Sequence, residues 1–373
     1  MRLHVVAVPH TNTTKDYEYD CFTTDVSEFA RCMTLRGHET TLYSGELNDV
    51  AVTEHVACVT LAQQEQWFGG RGLGGPAGFG YGSADTDFHH DSPEWAAFNE
   101  ACITEVAKRF EPDDIVCTTV GQAHRTLVDF CNTVRLRCVE FIVGFPADAR
   151  YTRYANYPTY AHRHYTDGWH RRWPQFYDNV TPNIVAQPLE IANEDRADYL
   201  LFIGRKVDGK GLGIAAEVAR RTGMDLVVVG QGPTDDAPDA HHLGIVLGEA
   251  KNRLICDARA VIMPSLYEEP FGRVHAEALV RGVPVISPDW AVFSETIING
   301  VNGWRCKSVA EFCDAVEYDE YDSPEEIAAQ AIDRYCYDPT TGAGRVGQSY
   351  DDWFERLLTD PFPQTFAPWV EVP

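Results

Sequence analysis

No apolar run in this chain of 373 residues approaches the ~18 residues that a membrane-spanning helix needs, so a helical membrane protein is not expected. Positive charge is also short. Against 56 acidic residues stand 31 basic ones, for a formal net charge of -25. A field of that sign repels nucleic acid and anionic membranes, which counts against broad electrostatic binding to either but leaves room for a local basic site. Lysine is scarce and arginine supplies most of the cations. The eleven cysteines contain no C-x-x-C pair and no metal-type spacing. Cys58, Cys117, Cys138 and Cys256 sit in apolar runs, as expected for buried free thiols in a reducing cytoplasm. A cleavable leader is not expected either. The opening Met-Arg-Leu-His-Val-Val-Ala-Val-Pro is too short an apolar stretch and lacks a small-residue cleavage site.

What is present is the balance of a soluble globular protein, 44% hydrophobic and 23% charged, with length enough for two ordinary domains. Leu3 to Val8 reads as a buried parallel strand. Val26, Phe29, Ala30 and Met33 recur at helical spacing before a stop at Gly37. Further strands are expected at Thr40–Tyr43, Val56–Thr60, Ile115–Thr119 and Cys138–Val143. The second half restarts with a strand at Tyr199–Ile203, a helix at Gly213–Arg221 and strands at Asp225–Val229, Leu243–Leu247, Ala260–Met263 and Val283–Ser287. This repetition predicts two doubly wound α/β domains. The first spans 1–185, with a glycine-rich loop or insertion at 63–95, and the second 186–340. Two prolines, Pro182 and Pro188, bracket the expected linker. Tyr350, Trp353, Phe354 and Leu357 mark a last amphipathic helix in a 341–373 tail expected to cross back to the first domain, and Pro361, Pro363 and Pro368 end regular structure.

The strongest chemical signal runs from Pro264-Ser265-Leu266-Tyr267-Glu268-Glu269-Pro270-Phe271-Gly272 into Arg273-Val274-His275-Ala276-Glu277, between a predicted strand and a predicted helix. The carboxyl end of a parallel strand opening into a helix is where α/β proteins bind phosphorylated ligands. Gly272 lets backbone approach a ligand closely. A carboxylate at Glu277 can accept hydrogen bonds from two vicinal hydroxyls, and Glu269 on the loop can do the same for a sugar ring.

Two glutamates separated by seven residues, with Phe-Gly between them after Pro-Ser-x-x-Glu, resemble the E-x7-E element of glycosyltransferase family 4 and its relatives. Ser287-Pro288-Asp289-Trp290, Glu295-Thr296-Ile297 and Gly300-Val301-Asn302-Gly303 resemble the strand, loop and glycine-bearing segment downstream of that element in the family. The resemblance implies a GT-B fold, two Rossmann-like domains facing a central cleft, and a retaining, metal-independent hexosyltransferase. Its donor would be a nucleotide-diphosphate sugar, UDP-glucose-like first and a GDP-sugar second, and its acceptor a hydroxyl group. The N-terminal part also resembles phage and metagenomic glycosyltransferases that open with a Pro-His-Thr-x-Thr-Thr loop. By resemblance, Arg205 and Lys210 of Gly204-Arg205-Lys206-Val207-Asp208-Gly209-Lys210-Gly211 neutralise the donor diphosphate, Glu277 holds the ribose, and Glu269 with the Phe271-Gly272 backbone orients the sugar. Arg273 and Val274 adjoin that site. Gly230 and Gly232 form the turn beside the donor, and Ile245 and Val246 stand where relatives hold the nucleobase through backbone groups. Two fixed cations can stabilise a leaving diphosphate without a metal or other cofactor. Departures are Val274-His275-Ala276 between the glutamates and the glycine-rich insertion.

In the first half, His10 and Thr11 of the loop after the first strand, and His124 after the strand Ile115–Thr119, are candidate contacts to phosphate, sugar or acceptor. Asp85-Thr86-Asp87, followed by His89, His90 and Asp91, matches a D-x-D metal signature but lacks the flanking strand that signature needs, and reads as a solvated loop. From Arg150 to Trp173, five arginines and three histidines meet one acid, Asp167, among interleaved tyrosines. That stretch is either aromatic-rich helical packing near the linker or an acceptor surface for a phosphorylated or nucleic-acid substrate. Two other functions stay open: a DNA glycosyltransferase acting on a hydroxymethylated base, and a sugar-nucleotide epimerase of the same architecture.

Overall fold

The protein's computed structural model describes residues 1–68, 90–144, 150–318 and 320–359. The chain divides into two compact units. One is Met1–Ile184 with the chain from Tyr337 on, and the other is Val185–Cys336.

In the first unit, β1 (Arg2–Val6), α1 (Cys21–Leu35), β2 (Glu39–Gly45), β3 (Glu54–Val59), α2 (Leu61–Phe68), α3 (Pro93–Ala107), β4 (Ile115–Thr119), α4 (Arg125–Val134), β5 (Arg137–Ile142), β6 (Tyr154–Tyr157), α5 (Tyr160–Trp169) and β7 (Asn179–Val180) follow in order. Their sheet is parallel, in the order β3-β2-β1-β4-β5-β6-β7. Side chains alternate across it with period two. Leu3, Val5 and Ala7 join Val26, Phe29 and Met33 on one face, while Val6 joins Phe98, Cys102 and Leu127 on the other. Asp20 starts α1 by accepting the amide of Thr23 at 2.8 Å, which satisfies a donor the helix leaves open.

The second unit holds β8 (Ala197–Ile203), α6 (Leu212–Thr222), β9 (Asp225–Val229), β10 (His241–Gly244), α7 (Gly248–Asp257), β11 (Ala258–Ile262), α8 (Arg273–Leu279), β12 (Val285–Pro288), α9 (Phe293–Thr296), β13 (Gly303–Cys306), α10 (Val309–Glu317) and α11 (Pro324–Tyr335). Its parallel order is β10-β9-β8-β11-β12-β13. Leu200, Phe202, Ala260 and Ile262 fill one face of that sheet, and Leu201, Val261 and Val285 the other. The last helix, α12 (Arg345–Thr359), belongs to the first unit, where Tyr350, Trp353, Phe354 and Leu357 enter the core beside Phe29 and Phe141. Both sheets have the strand order of a dinucleotide-binding fold, whose order reverses between β1 and β4 and between β8 and β11. Ligands bind such sheets at the carboxyl ends of the strands flanking that reversal.

Some expectations need correcting. Of the loop expected at 63–95, Gln63–Phe68 belong to α2 and Pro93–Trp95 to α3, and 69–89 lie outside the described residues. Asp85, Asp87 and His89 lie outside the described residues, as do Pro361, Pro363 and Pro368. The strand expected at Leu243–Leu247 lies at His241–Gly244 instead. Its register with β9 shifts between His242 and Gly244, and Gly244 takes a left-handed φ of 69°, which ends the ladder. Ile245 and Val246 therefore sit on the connection to α7. The short strands β6 and β7 and the single helix α5 occupy a stretch whose sequence reads as helical packing or as an acceptor surface.

Candidate functional site

The two loops that leave β8 and β11, at the reversal point of the second sheet, are stitched to each other and to the end of β9. Leu266 donates its amide to the carbonyl of Gly209 at 2.8 Å. Gly204 donates to Val229 at 2.9 Å, and Lys206 to Gln231 at 2.7 Å. Glycine is required at the crossings. A Cβ on Gly211 would collide with the carbonyl oxygen of Pro264, and one on Gly230 with that of Gly204, and both residues have left-handed φ, 72° and 134°. The fold thus brings residues 204–211 against 263–272.

That approach places Lys210 on Glu269. Lys210 Nζ lies 2.8 Å from Glu269 Oε2 and donates to the Tyr267 hydroxyl at 2.6 Å, with its ammonium 4.9 Å from the centre of the Tyr267 ring. Tyr267 donates in turn to Glu269 Oε2 at 2.6 Å, and Ser265 donates to the same oxygen at 3.3 Å. All of these contacts converge on Oε2, so Oε1 keeps its lone pairs for another donor. Glu269 is 7% exposed. Burial alone would raise its pKa, but Lys210 and the two hydroxyls outweigh it and hold the carboxyl below its ordinary value.

Glu277, on α8, is held by Lys251 of α7, whose Nζ lies 3.1 and 3.0 Å from its two oxygens. Burial again works against the charge, and Lys251, Arg273 and Arg281 overcome it, so this pKa too is lowered. Arg281 braces the pair by donating to the Glu277 carbonyl at 2.9 Å and to Asn252 at 2.7 Å. Between the glutamates, Gly272 turns the chain at φ 66° and His275 donates from Nδ1 to the Gly272 carbonyl at 2.6 Å. His275 is fully buried against Phe271, Phe293 and Tyr335, and burial lowers its pKa to about 4, so it is neutral at pH 7. The Phe271 side chain is core. Arg205 is exposed on the loop after β8, and Val274 is half-buried on α8. Gly230 and Gly232 lie on the turn after β9.

Lys251, Tyr267 and Ser265 escape sequence reading as functional residues. Tyr267 and Ser265 stand inside the motif without a role. Lys251 is a single lysine on a helix, and nothing in its neighbourhood of sequence points to Glu277.

In the first unit, His10 and Thr11 are 2% exposed and face partners in their own unit. His10 Nε2 lies 3.3 Å from Asp20 Oδ2, the Thr11 hydroxyl bonds that of Thr23, and Gln64 donates to the carbonyls of Pro9 and Thr11. His124 is fully buried beside Trp95 and Phe98, donates from Nδ1 to Asn99 at 2.9 Å, and is driven by burial to a pKa of about 3. A neutral ring without solvent contact suits packing better than proton transfer. Two arginines of the arginine-rich stretch also turn inward, while Arg171, Tyr160, Trp169 and Trp173 are exposed. Arg150 binds both oxygens of Asp178 at 2.6 and 2.9 Å, and Arg172 lies 2.6 Å from Asp167. Both arginines also donate to the Tyr157 hydroxyl. Among the described residues, no group of three or more His, Cys, Asp or Glu side chains is placed to hold a metal ion, and no helix is long and apolar enough to cross a membrane.

The chain is 31% identical over 128 residues to an uncharacterized glycosyltransferase of Methanocaldococcus jannaschii, a match spanning 30% of this chain and about a third (33%) of that protein. Its fold is similar to that of AviGT4, a glycosyltransferase involved in avilamycin A biosynthesis, with a TM-score of 0.64 and 17% identity over 96% of this chain and 98% of that one. It is similar also to Anabaena HepE in complex with UDP and glucose, with a TM-score of 0.63 and 13% identity over 96% of this chain and 100% of that one. Both units thus have the parallel α/β architecture of GT-B proteins, and residues 197–318, which carry Lys210, Lys251, Glu269 and Glu277, match the family described as Glycosyl transferases group 1.

Proposed function

We propose that the protein is a retaining glycosyltransferase of the family 4 type that transfers a hexose from a nucleotide-diphosphate sugar to a hydroxyl acceptor. The observation that carries this reading is the 2.8 Å contact between Lys210 and Glu269, which joins two motifs far apart in the chain at the reversal point of one sheet. Arg205 and Lys210 bind the diphosphate, one as a planar fork and the other as a point charge. Glu277 accepts the ribose hydroxyls, its carboxylate kept charged by Lys251. Glu269 accepts a sugar hydroxyl on Oε1, with the Phe271-Gly272 backbone alongside. UDP-glucose is the first donor to test, since the fold is similar to one that holds UDP and glucose, and GDP-sugars are the second.

The leaving diphosphate gains negative charge as its bond to the sugar breaks, and fixed cations stabilise that charge without reorganisation. Same-face attack, with the leaving phosphate taking the acceptor proton, requires no protein base. That agrees with the buried, neutral states of His124 and His275. A divalent metal is not required, and activity in excess chelator tests this point. A hydroxymethylated-DNA acceptor draws little support from the arginine-rich stretch, because Arg150 and Arg172 are paired internally. The test is donor turnover, read as nucleoside diphosphate release with and without sugar acceptors. Lys210→Ala or Arg205→Ala should lower the rate by about 10²-fold or more. Wild-type rates in both variants would refute the assignment.

A further inference from the structure

Lysine is rare in this chain. Only Lys15, Lys108, Lys206, Lys210, Lys251 and Lys307 occur, yet three of these six belong to the second unit's candidate site or the loop that forms it. Two of the three have carboxylate partners, Lys210 on Glu269 and Lys251 on Glu277. Each of those pairs adds almost no net charge for an incoming anion. The third, Lys206, is 7% exposed, and its ammonium has no hydrogen bond or ion pair among the described residues. Its pKa is pushed below the ordinary lysine value by burial, with no acid offsetting that cost.

A lysine whose stem is covered while its ammonium reaches solvent with no acid beside it offers an uncancelled positive charge, and it does so at the carboxyl ends of the strands, where α/β sheets bind phosphorylated ligands. The backbone of Lys206 is fixed. Its amide is bound to Gln231, and its Cβ packs over Gly232, where an added Cβ would stand 2.7 Å from both Lys206 Cβ and the Lys206 carbonyl oxygen. Gly232 has a φ of 125°, and its lack of a side chain lets the turn after β9 pass against residue 206. The residue lies at the carboxyl end of β8, beside the sheet's reversal point, on the loop that also carries Arg205 and Lys210.

We propose that Lys206 is a diphosphate-binding residue in its own right, the uncompensated cation of the donor site, which meets the phosphate charge that Lys210, shared with Glu269, neutralises only in part. This rests on the sugar-nucleotide reading above and adds a third cation to it. The test is calorimetric titration of the full chain, wild type, Lys206→Met and Lys206→Arg, with inorganic pyrophosphate, UDP, GDP and the matching nucleosides, alongside thermal unfolding without ligand. Lys206→Met should weaken pyrophosphate and the preferred nucleoside diphosphate by at least about tenfold while leaving nucleoside affinity unchanged, since a nucleoside has no charge to meet. Lys206→Arg should recover part of the loss. Without ligand, Lys206→Met should unfold close to or above the wild-type temperature, because the ammonium has no hydrogen bond or ion pair among the described residues to lose. Diphosphate binding by Lys206→Met equal to wild type overturns the proposal, and so does a variant that melts several degrees lower and loses nucleoside binding as well, which marks a structural lysine. A wild type that binds pyrophosphate through Lys206 but neither UDP nor GDP upholds the anion site and sinks the sugar-nucleotide reading. A wild type that binds none of the four overturns both.

Discussion

Lys251 shows how far a single residue can escape a reading by motif. Glu277 is legible because seven residues separate it from Glu269 after a recognisable lead-in, whereas its partner lies 26 positions earlier on another helix and carries no pattern. Folding supplies the link by laying α7 beside α8. Lys251→Met would leave a buried carboxylate without its counter-ion, and the donor KM is expected to rise by about tenfold or more. The pH dependence has a definite sign. Glu277's folded pKa lies below its ordinary value of 4.5, so the stability its pairing contributes is complete above about pH 4.5 and is lost as pH falls through the depressed value. The stability gap between wild type and Lys251→Met, measured by denaturant titration, should therefore hold steady across neutral pH and narrow in acid. A gap that widens in acid would contradict the assignment. His124 shows what burial adds to a reading by position. A histidine after a strand reads as a candidate site residue, and the fold buries its ring between Trp95 and Phe98, a position that sequence does not reveal.

At the scale of elements, the long buried strands are readable because continuous apolar runs flanked by helical periods have few alternatives. Tyr199–Ile203 and Ile115–Thr119 are of this kind. β10 is misplaced by sequence because Leu243, Ile245 and Val246 look strand-like locally, while the left-handed Gly244 ends the pairing with β9. β6 and β7 are too short to show a period. The connections carry the candidate site, and their glycines set how closely the loops meet. Gly211→Ala forces a Cβ into the Pro264 carbonyl at a φ of 72°. It should cost roughly 2 kcal/mol or more and lower donor affinity with it. Thermal unfolding with and without a nucleoside diphosphate reads both effects. A variant with wild-type stability and affinity would show that the 204–211 and 263–272 loops can separate freely.

For the whole molecule, the restart of strand-helix alternation is enough to predict two units, and the observed break falls at Ile184–Val185, within the bracket of Pro182 and Pro188. The place of α12 in the first unit's core is partly legible, since Tyr350, Trp353, Phe354 and Leu357 fall on one helical face. The second unit is continuous in sequence, has its own six-stranded sheet and buries its own cores, so residues 185–336 should fold as a fragment. All four side chains of the two ion pairs belong to it. The most direct measurement is a calorimetric titration of that fragment and of the full chain with UDP and GDP. The predicted result is that both prefer the same nucleoside diphosphate, with affinities within about tenfold of each other, that is ~1.4 kcal/mol. A folded fragment that binds neither, while the full chain binds one tightly, would contradict a nucleotide site built from these lysines and glutamates.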